Sequence, residues 1–223
     1  MTVRRVDFWQ IKPGGFEAFA DAYGELREAT SAHANAQNRL MIVNHGYAGP
    51  DNLTAGDCYT TVDLPSAAAY GDALKAVNAD PAVSEIWSRL HSQDAPVVHR
   101  GTGLFRKFHE DGTPLAAAVD SVSLVRAWRI EPGMQSVAQA AGQAVQQHAA
   151  GLGGYLQVLR PMIAPSTGAN VITSTTFPSW SELGQFLDVL DQDPEIEQAT
   201  AAFRSATPPG HLLQAHIARC LVA

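Results

Sequence analysis

Trp9-Gln10-Ile11-Lys12-Pro13-Gly14 returns as Trp128-Arg129-Ile130-Glu131-Pro132-Gly133, 119 residues further on. Each copy closes an alternating run and opens a helical one. Upstream of the first copy, Val3, Arg5, Asp7, Trp9 and Ile11 share one face of a strand, and Arg4, Val6, Phe8 and Gln10 share the other. Pro13 removes a backbone donor and ends the ladder. Phe16, Phe19, Tyr23 and Leu26 then recur at three and four, the spacing of a helix with one buried stripe.

The rest of each half follows the same order. In the first, strands are predicted over Leu40–Tyr47, Cys58–Val62 and Gly103–Phe108. A helix opens at Pro65-Ser66 and restarts at Asp80-Pro81, where Asp caps the free N–H groups and Pro fits the first helical position. In the second, strands are predicted from Val122 to Ile130, Tyr155 to Leu159, Val171 to Phe177 and His216 to Val222. A helix spans Met134–Ala149, another opens at Ser179, and Asp193-Pro194 restarts it. Tyr70, Leu74, Val77, Asp80, Pro81 and Val83 each find an equivalent 113 residues later, at Leu183, Leu187, Leu190, Asp193, Pro194 and Ile196. The pattern is β-α-β-β-α-β twice, the ferredoxin-like arrangement. The fold class expected is therefore α+β: two tandem ferredoxin-like repeats with antiparallel sheets, at 1–108 and 121–223, joined by a linker at 109–120.

Composition narrows the function. With 223 residues, 46% of them hydrophobic, two units of about 110 residues can each bury a core. A formal charge of −7 argues against nucleic acid or an anionic membrane as partner. Arg4 and Arg5 lead into a strand rather than an apolar leader, so a cytoplasmic location is expected. Cys58 and Cys220 are too few for a disulfide framework or a thiolate metal site. The histidines show no metal-ligand spacing, and no phosphate-binding loop, nucleophile elbow or dinucleotide fingerprint occurs.

A strand ending in x-Pro-Gly, a helix, two strands and an Asp-Pro-restarted helix resembles the dimeric α+β barrel superfamily. Arg126-Ala127-Trp128-Arg129-Ile130-Glu131-Pro132-Gly133 is most similar to the NIPSNAP-type first strand, and Asp80-Pro81 and Asp193-Pro194 resemble its second-helix feature. The superfamily includes antibiotic-biosynthesis monooxygenases, isomerases, polyketide cyclases, haem-degrading enzymes and chlorite dismutases. The resemblance implies a ligand cavity beside a sheet, and leaves the activity open. A cofactor-independent monooxygenase or isomerase acting on a small hydrophobic or aromatic molecule is the first expectation. A non-catalytic ligand-binding or assembly protein, a homo-oligomer among them, and a haem protein are the alternatives. One axial histidine leaves no motif, so haem through His148 or His91 stays open although no cofactor is predicted.

Candidate site residues follow from faces. Asp7 and Arg126 occupy matched positions; on a face lining the barrel interior they form either an ion pair between the halves or a pocket with Asp7 as base and Arg126 as anion holder. Trp9 and Trp128 are either core or ligand platforms. His45 and Tyr47, two apart on one strand, share a face and suit proton exchange with a phenol or enol, or else merely satisfy a strand end. Arg106 anchors the sheet or binds an anion.

Overall fold

The alternation from Val3 to Ile11 is strand β1 of an eight-stranded closed barrel. The computed structural model describes residues 2–31, 33, 37–48, 58–112, 119–163 and 168–222, with backbone alone for 37, 38, 44–48 and 222. The elements run β1 (Val3–Ile11), α1 (Phe16–Ser31), β2 (Gln37–Ala48), β3 (Cys58–Leu64), α2 (Ala67–Ala79), α3 (Pro81–Leu90) and β4 (Val97–Asp111). They continue with β5 (Val122–Ile130), α4 (Gln135–Gly151), β6 (Tyr155–Ile163), β7 (Val171–Phe177), α5 (Trp180–Gln192), α6 (Pro194–Thr200), a 3-10 turn (Ala201–Arg204) and β8 (Gly210–Val222). The two halves form antiparallel sheets of order β4-β1-β3-β2 and β8-β5-β7-β6. They join through β2 with β8 and β4 with β6, so the sheet has no free edge. Unpaired backbone at a strand edge recruits partners; among the described strands no edge is left for an assembly of that kind. No described helix is long and apolar enough to cross a membrane.

Three cores separate by face. Odd-numbered β1 residues point outward beneath α1–α3, where Trp9 is 1% exposed among Phe19, Tyr23, Leu26, Val83, Ile86 and Leu90. Helices α4–α6 cover the second half around Val122, Leu124, Phe177, Leu183 and Phe186. Inside the barrel lie Val6, Met41, Tyr59, Phe105, Leu159 and Ala218. Asp7 and Arg126 therefore lie on helix-covered outer faces of opposite half-sheets, four strands apart around the barrel, and neither faces the interior. The interior-facing assignment entertained from sequence is overturned. Both faces of β1 mix charge with apolar bulk, so alternation alone does not say which turns inward.

The restarts fold as their sequence requires. Asp80 Oδ1 accepts from the Ala82 and Val83 N–H groups at 2.8 and 3.4 Å, and Asp193 Oδ1 from Glu195 and Ile196 at 2.7 and 3.3 Å. A histidine from the first helical region of each half faces the other carboxylate oxygen: His33 Nε2 at 2.6 Å from Asp80, His148 Nε2 at 3.7 Å from Asp193. These contacts tie the helices of each layer together.

At one end of the barrel interior Arg4 binds Asp63 through Nε and Nη2 at 2.6 and 2.7 Å, and Lys107 Nζ lies 3.2 Å from the same carboxylate. Burial alone raises the Asp63 pKa, but the two cations outweigh it and hold the group down at about 2. His216 faces the same interior with an Nε2 that is buried and unpartnered, and burial lowers its pKa to about 4. Both shifts make the unfolded chain the better proton acceptor in acid. His216 sheds stability as pH falls from about 6.5 to about 4, and Asp63 as it falls from about 4 to about 2, on the order of 2–3 kcal/mol each. A plot of urea midpoint against pH should decline in both windows; a flat profile from pH 6.5 to 4 would contradict the buried neutral imidazole.

Strand β4 is longer than its sequence suggested, starting at Val97 instead of Gly103 and running to Asp111 through His109, into the span expected as linker. Its first part lacks period-two alternation because a bulge interrupts it: Phe8 pairs with Gly101 and Trp9 with His99, leaving Arg100 over. Likewise β8 begins at Gly210, with Leu213 left over between Ala127–Gln214 and Trp128–Leu212.

Candidate functional site

The bulge in β4 has a local effect on chemistry. Leaving Arg100 out of the ladder puts His99 opposite Trp9, on the face that carries Asp7. Thr102, opposite Asp7, donates its hydroxyl to Asp7 Oδ1, and His99 Nε2 lies 3.4 Å from that oxygen and 3.2 Å from the Thr102 hydroxyl. Arg5, two residues before Asp7 and thus on its face, binds the carboxylate through Nε and Nη2 at 2.8 and 2.9 Å. Burial pushes the Asp7 pKa up, but the His99 contact, the Arg5 charge and the Thr102 hydroxyl together pull it below the usual carboxylate range. A carboxylate so engaged is a poor proton acceptor near neutrality. Its geometry suits orienting His99 and Arg5 better than the base role read from sequence.

A cavity of about 270 Å³ opens between this sheet face and the helices. Leu26, Val62, Leu64, Leu74, Val77 and Val83 supply apolar wall. Arg5, Asp7, Thr60 and Tyr70 bring polar groups to it. The Arg5 guanidinium lies 5.3 Å over the Trp87 ring, another wall residue, and the Tyr70 hydroxyl also acts on Arg5. Beside it, Trp9, Trp87, His91 and His99 form a ring cluster, with Trp87–His91 centroids at 4.5 Å and His91–His99 at 5.0 Å. The volume suits a small, largely apolar molecule with one polar end. The barrel interior offers a second cavity of only about 80 Å³.

Of the residues read from sequence, the structure brings Asp7 to the larger cavity and Trp9 beside it. Trp9 is core: its indole Nε1 donates to Thr60 Oγ1 at 3.2 Å and its rings pack on Phe19. Trp128 is half-buried on the opposite layer, donating to Thr173 Oγ1 at 3.3 Å and meeting Phe203 edge-on. Arg126 is on that opposite layer too. Arg106 is exposed on β4, in register with Arg160, away from both cavities. His45 and Tyr47 lie opposite Ile217 and Ala215 in the β2–β8 ladder, but their side chains lie outside those described. Sequence reasoning missed Arg5, Tyr70 and His99. Arg5-x-Asp7 carries a legible signal, since opposite charges two apart on a strand share a face; His99 carries none, because only the bulge aims it.

Among the described residues, none of the histidines is placed to hold haem. No described histidine lines the larger cavity, and the smaller, beside His216, has no room for a macrocycle. His148 faces the Asp193 carboxylate, and His91 is an exposed residue whose Nδ1–H donates to the Trp87 carbonyl at 2.9 Å.

No protein-family model and no curated protein sequence matches the chain. Its fold is similar to that of a Fusobacterium nucleatum protein assigned as a monooxygenase, with TM-score 0.65 and 8% identity over 99% of this chain and 92% of that one. A protein assigned as a chlorite dismutase aligns at TM-score 0.57 and 9% identity, covering 99% of this chain and 95% of that one. An anthrone oxidase-like protein aligns at 0.53 and 14%, covering 100% and 93%. At such identities the likeness is one of fold: this is a dimeric α+β barrel architecture. Here a single chain supplies both half-sheets.

Proposed function

We propose that this protein is an enzyme that binds a small hydrophobic or aromatic molecule in the first-half cavity and acts on its phenol or enol without a bound cofactor, in the manner of a monooxygenase or isomerase. The observation that carries this reading is an apolar cavity with one charged, fully hydrogen-bonded corner, Arg5–Asp7, beside a histidine that the same carboxylate orients. The Arg5 N–H donors not spent on Asp7 stabilise a developing phenolate or enolate, and His99, set behind Asp7 rather than in the cavity wall, takes the proton through a water. Names borne by proteins of similar fold, monooxygenase and anthrone oxidase-like, favour oxygenation over isomerisation. The matched Trp–Thr bonds, bulges and Asp caps support reading 1–108 and 121–223 as a tandem repeat of one ancestral unit, in keeping with the NIPSNAP-like strand at Arg126–Gly133.

The test is oxygen uptake and product formation with anthrone and naphthols, comparing the wild type with Ala73→Trp, which fills the cavity from α2. Turnover in the wild type should fall to background in the variant while the melting temperature holds. Turnover undiminished by the added indole, or no binding of any of these compounds, would refute the reading.

A further inference from the structure

The second half carries the same frame around an opposite charge. Asp7 lies between Thr60 on β3 and Thr102 on β4, and Arg126 between Thr173 on β7 and Ala215 on β8. Both frames keep the indole-to-threonine hydrogen bond, at 3.2 Å from Trp9 and 3.3 Å from Trp128, and both keep the bulge beside it. What changes is every group that satisfies the charge. Where Asp7 meets Arg5, Thr102 and His99, the corresponding neighbours of Arg126 are Leu124, Ala215 and Leu212. A guanidinium has five N–H donors, and that of Arg126 has no hydrogen-bond or ion-pair partner among the described residues. Burial depresses its pKa with no carboxylate opposing the shift. A second donor in this half is also unsatisfied: Gln146, 3% exposed on the buried stripe of α4, has an Nε2 without a partner.

A half-buried cation in apolar surroundings is costly unless an anion meets it. Leu124 and Trp128 flank Arg126 along its strand, and Leu212, 41% exposed, leaves the Trp128 end open to solvent. We propose that the open end of the layer between β5 and the α4–α6 helices is a second binding site, which takes an organic monocarboxylate: the carboxylate on Arg126, the apolar body against Trp128 and Leu212. This site is independent of the first-half cavity, and its failure would leave the proposed activity untouched.

Benzoate serves as probe and benzyl alcohol as its uncharged control, in calorimetric titration and thermal melts of the whole chain. Benzoate should bind and raise the melting temperature, and benzyl alcohol should do neither. In Arg126→Met the benzoate affinity should fall about 10–100-fold, the effect of losing a charge-assisted pair, while the unliganded variant melts no lower than wild type. Leu212→Glu, which supplies an internal counter-ion opposite Trp128, should abolish benzoate binding and raise the melting temperature. No benzoate binding by the wild type, equal affinity in Arg126→Met, or a marked loss of stability in that variant would each overturn the proposal. The last outcome would reveal a carboxylate partner within the protein.

Discussion

Asp63→Asn should lower the unfolding free energy by about 3–5 kcal/mol at neutral pH, the cost of stranding a buried charge. Asparagine keeps the shape of the side chain but not its charge. Arg4, bound at 2.6 and 2.7 Å, and Lys107, at 3.2 Å, would then face each other across a neutral amide inside the barrel. Against a typical total of about 5–15 kcal/mol, this is a large share. Urea denaturation measures it, and the loss should persist at high salt because a buried pair is screened little. Pairing the change with Arg4→Met should recover much of it, since removing the guanidinium removes the stranded cation. A loss below about 1 kcal/mol would mean that the cluster is hydrated and worth no more than a surface pair.

The second large effect concerns Asp7. Asp7→Asn should cost about 3 kcal/mol, because Arg5 loses both of its charged hydrogen bonds in a largely buried setting. It should also cut turnover of a phenolic substrate by about 10²–10⁴-fold, the usual contribution of a positioned acid–base group. Stability and catalysis are separated by the double change Arg5→Met with Asp7→Leu. If the pair orients His99 and polarises substrate, the double variant folds as well as wild type and remains inactive. If activity returns with stability, the pair is scaffold alone and the chemistry lies elsewhere.

The sequence yielded architecture more readily than site. Val3–Ile11, Val122–Ile130 and Val171–Phe177 are strands over the spans their alternation predicts, and Asp80-Pro81 and Asp193-Pro194 cap helices as their chemistry demands. These features rest on local rules. The site rests on register: His99 reaches Asp7 only because one residue is left out of the β1–β4 ladder, and no local pattern announces a bulge at His99-Arg100-Gly101. The inward face was illegible for a related reason. Arg4, Val6 and Phe8 look no more like barrel filling than Arg5, Asp7 and Trp9 until Asp63 appears across the ladder from Arg4.

The seam between β2 and β8 also constrains how the protein is made. Of the eight strands, the one that completes the ring is the last to leave the ribosome, and it docks on a strand synthesised more than 160 residues earlier. Until it arrives, Val6, Met41, Tyr59 and Phe105 form the uncovered inner lining of an open trough. The nascent first half is thus a sticky, incomplete object, and closure couples both halves into one cooperative event of high contact order and slow rate. Stop codons or proteolytic nicks before Gly210 should yield chaperone-bound or aggregated chains rather than a freestanding first half.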